Sequence, residues 1–388
     1  MTSTAFTVIG TPGDRRTALF AAACRAEGLP EPHVVGWRDV LTAPSAEGGP
    51  AERDEPRPGR ALIPPGTDLV RIDSPGEDAE ADALLRGPGD PARVGGGARW
   101  YRTFTAGLRR VAAEAERAGA RLLNDVDDIA VMCDKRRCHA RLQAAGVPVP
   151  DALPPVSSYA ELRARMAETR MHRVFVKPAH GSSASGVIAL QTAPGGRIKA
   201  VTSAVPAGPA QGTPPGSGYV NSLRVRAYET EAEVAALVDA LAPDGLHVER
   251  WIPKAGVDGR VMDLRVVVVA GEPTHAVVRT SRWPMTNLHL GGTRGDLDTV
   301  RRSMGGGAWR DALEVCARAA ACFPGSLMVG VDLLVRVGHR GCVVGEVNAF
   351  GDLLPGLTGL PGGGAEGIDT YTAQVRAALS ENLPACTT

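Results

Sequence analysis

The chain has 388 residues, 44% hydrophobic and 22% charged, with 43 basic side chains against 43 acidic ones. It is too apolar and evenly charged for a disordered protein and long enough for two or three packed domains. It also lacks the bulk field that would attract nucleic acid or anionic lipid. No stretch approaches the ~18 uninterrupted apolar residues of a membrane span. The opening Met-Thr-Ser-Thr-Ala-Phe has no basic region before an apolar one, so no secretory signal is expected and the protein reads as cytoplasmic.

In chain order, Phe6–Gly10 reads as a buried strand, 14–27 as a helix and 33–37 as a second strand, the start of an α/β domain with a parallel sheet. Its Gly10-x-x-Gly13 is not a dinucleotide fingerprint. Residues 41–66 read as loop, 69–73 as a strand, 105–119 as a helix and 121–125 as a strand end. The apolar spacing over 127–146 predicts one helix, followed by Val-Pro-Val-Pro. Strands are expected at 174–177 and 187–190 around a small-residue loop, 181–186, and residues 191–218, rich in Pro and Gly, are expected to include a mobile loop. A strand at 221–228, a helix at 231–241 and a strand at 247–252 follow. Two hairpins, 263–280 and 328–348, flank a helix at about 308–322. The seven cysteines are an odd, scattered set without a C-x-x-C pair, so they read as reduced thiols.

Only four of the 43 basic residues are lysine: Lys135, Lys177, Lys199 and Lys254. A lysine surviving amid so much arginine marks a place suited to a compact ammonium, or else a surface position; Lys199, in a loop-like region, reads as the latter, and the surface reading is open for Lys254 too.

In the second hairpin, a turn centred on His339 sets Asp332 across from Glu346, with Asn348 on the same face. Cross-strand Cβ atoms lie roughly 5 Å apart. Two carboxylates there repel unless a divalent cation joins them, and two acids plus an amide form a hard oxygen site suited to Mg and completed by nucleotide phosphates. Solvent-facing acids, or one neutralised by an arginine, would also satisfy the pattern. In the first hairpin, a turn centred on Glu272 sets Arg265 across from Arg279. Paired guanidiniums ask for a phosphoryl group or carboxylate, or are paired to Asp263 or Asp258. Finally, a strand delivers Lys177 to a Gly- and Ser-rich turn whose backbone N–H groups suit phosphate oxygens, although it is not a Walker A loop and a flexible surface hairpin has the same composition.

Over about residues 120–355 the sequence resembles the ATP-grasp superfamily, particularly the branch of ribosomal-protein glutamate ligases and amino-group-carrier lysine-biosynthesis ligases. The matching stretches are Asp134-Lys135 with Ala145-Gly-Val-Pro-Val-Pro150, Val176-Lys-Pro-x-x-Gly-Ser-Ser183, and Val248-Glu-Arg-Trp-Ile252. Further matches are Asp263-Leu-Arg265, Arg279, Thr286-Asn-Leu-His-x-Gly-Gly292, Gly330-Val-Asp332 and Glu346-Val-Asn348. The resemblance implies an α/β (α+β) fold: a Rossmann-like parallel-sheet domain over 1–130, then two antiparallel-sheet subdomains, 131–245 and 246–388, sandwiching ATP. It implies Lys135, Lys177, Ser182 and Ser183 at the phosphates, and Glu249, Arg250, Trp251 and Ile252 as the strand holding adenine. It places Asp332, Glu346 and Asn348 on one or two Mg ions (Mn as a substitute), Arg265 and Arg279 on the transferred phosphoryl group, and Asn287 and His289 near the acceptor. Ribose contacts are open, with Lys254 and Asp258 as candidates.

The implied activity is an ATP-dependent carboxylate–amine ligase working through an acyl phosphate on small amino-acid-like substrates. The alternatives are a modifier of a protein or peptide, or an inert nucleotide-binding regulator. Neither nucleic acid nor membrane is an expected partner, and a homo-oligomer is compatible with the reading. One departure stands out: after Asn348 the family runs into a Ser-Pro-Gly turn, whereas this chain continues Ala-Phe-Gly-Asp-Leu-Leu-Pro-Gly356, so substrate identity does not carry over.

Overall fold

Three short, mainly apolar stretches near the N-terminus form strands, two of them buried along their length and the other at its C-terminal half, as in a sheet covered on both faces. In a computed structural model describing residues 4–43, 61–76, 78–208 and 218–380, they are β1 (Phe6–Gly10), β2 (His33–Gly36) and β3 (Leu69–Ile72). With β4 (Arg121–Leu122) they make a parallel sheet in the order β2-β1-β3-β4. Helices α1 (Arg15–Ala26), α2 (Trp37–Thr42), α3 (Ala79–Arg86) and α4 (Gly97–Ala118) accompany it. The carboxylate of Asp14 caps α1 by accepting from Thr17 N, and Gly119, at φ 68°, ends α4. Helix α4 begins eight residues before the expected start, and α2 and α3 lie where no helix is expected. Most of the expected 41–66 loop lies outside the described residues.

The single helix expected over 127–146 is two: α5 (Val126–Met132) and α6 (Lys135–Ala144). Asp134 interrupts them as the cap of α6, its carboxylate accepting from Arg136 N at 2.9 Å and Arg137 N at 3.3 Å. After α7 (Tyr159–Glu168), strands β5 (Arg173–Pro178), β6 (Ile188–Ala193), β7 (Arg197–Pro206), β8 (Tyr219–Tyr228) and β9 (Leu246–Arg250) form an antiparallel sheet, ordered β8-β7-β6-β5-β9, with α8 (Glu231–Leu241). Of the stretch 191–218, expected to include a mobile loop, residues 197–206 are instead a strand paired on both sides, and 209–217 lie outside the described residues. Lys199, on that strand and not in a loop, meets Glu229 at the surface, 2.9 Å away.

The last sheet contains β10 (Gly256–Val257), β11 (Arg260–Val269), β12 (Glu272–Ser281), β13 (Thr293–Gly295), β14 (Met328–Val335) and β15 (Cys342–Asn348). It runs β13-β12-β11-β14-β15, with β10 beside β11. Helix α9 (Leu297–Ala321), broken at Gly305, packs on it. Helix α10 (Thr370–Leu379) packs on α1, placing Tyr371 and Val375 in one apolar cluster with Phe6, Val8 and Phe20. The six described cysteines are free thiols, and Cys386 lies outside the described residues. Among the described residues no helix is long and apolar enough to cross a membrane.

Candidate active site

Between the two antiparallel sheets lies an open cleft of about 880 Å³, lined by five cationic and four anionic side chains. The cations are Lys135, Lys177, Lys254, Arg265 and Arg279, and the anions are Glu249, Asp263, Asp332 and Glu346.

On the last sheet, Asp332 of β14 pairs directly with Glu346 of β15, as expected, after a bulge between Asp332 and Leu333 makes up a one-residue offset that begins at the turn, and Asn348 faces Gly330 two residues on. All three line the cleft. The other hairpin corrects its expectation: Arg279 lies across from Asp263, while Arg265 pairs with Val277 on one side and with Asp332 on the other. The reason is the turn. Ala270 and Gly271, both at positive φ (49° and 83°), make a two-residue hairpin loop that displaces the pairing by three residues, and a bulge at Val267–Val268 takes one of them back. A net slip of two residues keeps both arginines on the cleft face, as the period of two requires.

The anion those arginines ask for is supplied by the chain itself. Arg265 donates from Nε and Nη2 to the two oxygens of Asp332, the second bond at 3.1 Å, and Arg279 Nη2 lies 3.0 Å from Asp332 Oδ1. Arg279 Nε also donates to Asp263 at 2.8 Å. Burial opposes ionisation of Asp332, yet the two guanidiniums outweigh it and hold the carboxyl well below the usual carboxylate range. The other ion pairs follow the same pattern. Lys135 Nζ is 3.0 Å from Glu346 Oε1 and also donates to the carbonyl of Gly181; Lys177 Nζ is 2.6 Å from Glu249 Oε1. Burial resists the charge on Glu249, but Lys177 and His247 bring its carboxyl down to about 2. Lys254 was not assigned a definite role from sequence. It is buried, donates to Thr286 Oγ1 at 3.1 Å, and lies 3.4 Å from Asp263. Desolvation lowers its pKa despite that acid, and neighbouring Arg279 adds to the effect.

The helix break at Asp134 gives Lys135 its position: as the first residue of α6 it is tied by its N–H to the carbonyl of Ala179, 3.0 Å away. The loop after β5 brings Ser182 and Ser183 to the cleft rim, with Ser183 and Ala184 both at positive φ (53° and 57°). Of the segment expected to hold adenine, Glu249 and Ile252 line the cleft. Arg250 turns outward to Asp151 at 2.9 Å, and Trp251 packs on Phe175 with ring centroids 5.4 Å apart. Asn287 lines the cleft; His289 is exposed and outside the lining, and Asp258 sits in the β10–β11 turn, also outside it.

The residues after Asn348 carry a feature sequence reasoning missed. Asp352 is fully buried and holds Arg16 of α1, Arg71 of β3 (2.6 Å) and Gln374 of α10 (3.2 Å). Arg71 is stacked between Phe20 and Tyr371, at 4.7 and 5.2 Å from their ring centroids. The altered segment thereby fastens the parallel sheet to the cleft, and the carbonyl of Gly351 accepts from Arg265 at 3.3 Å.

Asp332, Glu346 and Asn348 fit a divalent cation by their chemistry: hard oxygens from facing strands, opening on one cleft. Among the described residues no group of three His, Cys, Asp or Glu side chains could hold a metal, so this set of two carboxylates and one amide needs oxygens from a ligand to complete a shell.

No protein-family model matches the chain, and no curated protein does. Among solved structures it is similar to the D-cycloserine synthetase DcsG, at 18% identity over 96% of this chain and 99% of that one, with a TM-score of 0.53. It also matches the ATP-grasp ligase PsnB in complex with a phosphomimetic variant of its minimal precursor, Mg and ADP (18% identity, 97% and 99% covered, TM-score 0.49). A third match is the D-alanine–D-alanine ligase of Bacillus anthracis in complex with ATP (11% identity, 90% and 87% covered, TM-score 0.47). At these identities the likeness is one of fold.

Proposed function

Proceeding from the ATP-grasp fold of this chain, we propose that the cleft binds ATP and joins a carboxylic acid to an amine. A substrate carboxylate oxygen attacks the γ-phosphorus and ADP leaves. The amine nitrogen then attacks the acyl carbon of the acyl phosphate, phosphate leaves with the C–O electron pair, and the nitrogen loses a proton to give the amide. The observation that carries this reading is the pairing of Asp332 with Glu346 inside a cleft holding five cations. Opposed acids beside converging ammonium and guanidinium groups match the needs of a metal–polyphosphate and of few other ligands.

In this reading Lys135 and Lys177 neutralise the phosphates, and the loop with Ser182 and Ser183 covers them. Glu249 and Ile252 border adenine, while Arg250 and Trp251 hold that strand end from outside. Asp332, Glu346 and Asn348 hold one or two Mg ions, which when bound offset charge developing on the transferred group. Arg265 and Arg279 stabilise the equatorial oxygens and the acyl phosphate, and Asn287 lies at the acceptor end. No protein nucleophile is needed, because positioning and electrostatics carry the rate.

We take the acid and amine to be small and amino-acid-like, because a chain with 43 basic and 43 acidic side chains offers no charged tract for a large acceptor. The test is ATP-dependent phosphate release across a panel of acids and amines, with mass spectrometry of the products. Release requiring both an acid and an amine, with the amide detected, is expected; ATP that stays intact with every pair contradicts the reading.

A further inference from the structure

All five cations lining the cleft are already committed to an acid: Lys135 to Glu346, Lys177 to Glu249, Lys254 to Asp263, Arg265 to Asp332, and Arg279 to both Asp263 and Asp332. Asp332 and Asp263 each hold two of these cations, and on Asp332 both are guanidiniums, which share its Oδ1 while one of them also takes Oδ2. An anion entering this cleft therefore finds its receptors occupied, and it is repelled by the same carboxylate that occupies them. Glu346 stands in the same relation to Lys135.

Resting on the nucleotide reading above, we infer that Asp332 is a specificity-determining residue that makes the cleft select a metal-bound nucleotide over a free one. A nucleotide arriving with a divalent cation gives Asp332 and Glu346 a new partner. The acids turn to the cation, and Arg265, Arg279 and Lys135 pass to the phosphates in a single exchange of ion pairs. A nucleotide arriving alone must break those contacts and leave Asp332 buried without a counter-ion, a cost of several kcal/mol in general for a partnerless buried charge. The same competition excludes free inorganic phosphate, which brings no cation. Two roles thus meet in one carboxylate, and they make different predictions for its removal. A residue that only ligates metal, when neutralised, weakens binding of the metal-bound nucleotide and leaves the metal-free form unchanged. A residue that also guards two arginines strengthens binding of the metal-free form.

The experiment is calorimetric titration of ADP into the full chain, once with excess Mg and once with a chelator, for the wild type and Asp332→Asn. The wild type is expected to bind ADP strongly only with Mg. In Asp332→Asn, metal-free ADP should bind about tenfold more tightly than to the wild type, the equivalent of one charge-assisted hydrogen bond regained, and added Mg should bring little further gain. The double variant Asp332→Asn/Arg265→Gln, which restores the charge balance, should lose that gain. Metal-free affinity that is unchanged or weaker in Asp332→Asn overturns the inference while leaving the nucleotide reading intact, provided the wild type binds Mg·ADP. A wild type that does not bind Mg·ADP overturns both. If Asp332→Asn does not fold, Glu346→Gln serves instead because Glu346 is the more exposed of the two acids. Its release of Lys135 should tighten metal-free ADP several-fold, and an unchanged or weaker affinity overturns the inference.

Discussion

Lys177 and Glu249 meet on neighbouring strands of the middle sheet, Nζ 2.6 Å from Oε1, and the acid is buried with His247 on its other oxygen at 3.1 Å. The carboxyl of Glu249 is held at about 2, against an ordinary 4.5. A folded-state pKa below the unfolded one contributes stability above the unfolded value and loses it as the pH falls through the folded value. The contribution is therefore complete near neutral pH and disappears between about pH 5 and pH 2; a shift of this size corresponds to about 3 kcal/mol. Urea unfolding across that range should show a shallower acid limb for Glu249→Gln than for the wild type. Parallel limbs would show that Glu249 is not held ionised by its neighbours.

Removing Lys177 alone should have two separable effects. Lys177→Ala strips the buried Glu249 of its strongest cation, which in general costs about 3–5 kcal/mol. It also removes an ammonium from the proposed phosphate site. Adding Glu249→Gln should recover most of the melting temperature but none of the nucleotide affinity. Recovery of both in the double variant would make Lys177 a structural residue only.

Asp352 joins three elements that are remote in sequence, through Arg16, Arg71 and Gln374, and it adjoins the carbonyl that receives Arg265. Asp352→Ala should destabilise the fold by about 3–5 kcal/mol, because part-buried Arg16 loses its acid and Arg71 keeps only Asp73. The milder Arg16→Gln, at the rim of the cluster, should lower turnover several-fold while nucleotide affinity stays within twofold. Unchanged turnover would show that the clamp does not reach Arg265.

Gly330 and Gly351 touch backbone to backbone: a Cβ on Gly330 would lie 2.6 Å from the Cα of Gly351. Gly330→Ala should therefore push the segment after Asn348 away from β14, at a cost of about 1–3 kcal/mol. Thermal melting checks this, and an unshifted melting temperature would mean that the segment yields freely.

The pairing of Asp332 with Glu346 matches the register of a turn centred on His339, but two departures cancel to give it: next to the turn Val335 pairs with Cys342 and Leu333 with Val344, one residue off that register, and a bulge between Asp332 and Leu333 restores it. The other hairpin was misread because its departures do not cancel. Gly-Glu-Pro resembles a turn, but the chain reverses one residue earlier at Ala270–Gly271, and Pro273 falls beside a bulge. The break between α5 and α6 was hidden because apolar spacing continues through Asp134, whose capping role depends on where Lys135 must point. The Arg16–Arg71–Asp352 cluster left no local trace at all, since its members lie 55 and 281 positions apart and only tertiary packing brings them together. The alternatives raised by the charge pattern alone, an acid neutralised by arginine and Arg279 paired to Asp263, are both realised in the ligand-free cleft.

The central claim is that a nucleotide-bound divalent cation sits between Asp332 and Glu346. Electron paramagnetic resonance of Mn added with ADP tests it most directly, because bound Mn loses the sharp spectrum of the free ion. The free-ion signal is expected to fall further with wild-type protein and ADP together than with ADP alone, and to fall no further than with ADP alone when Glu346→Gln replaces the wild type. A fall with the wild type no greater than with ADP alone, or an equal fall with Glu346→Gln, would contradict the claim.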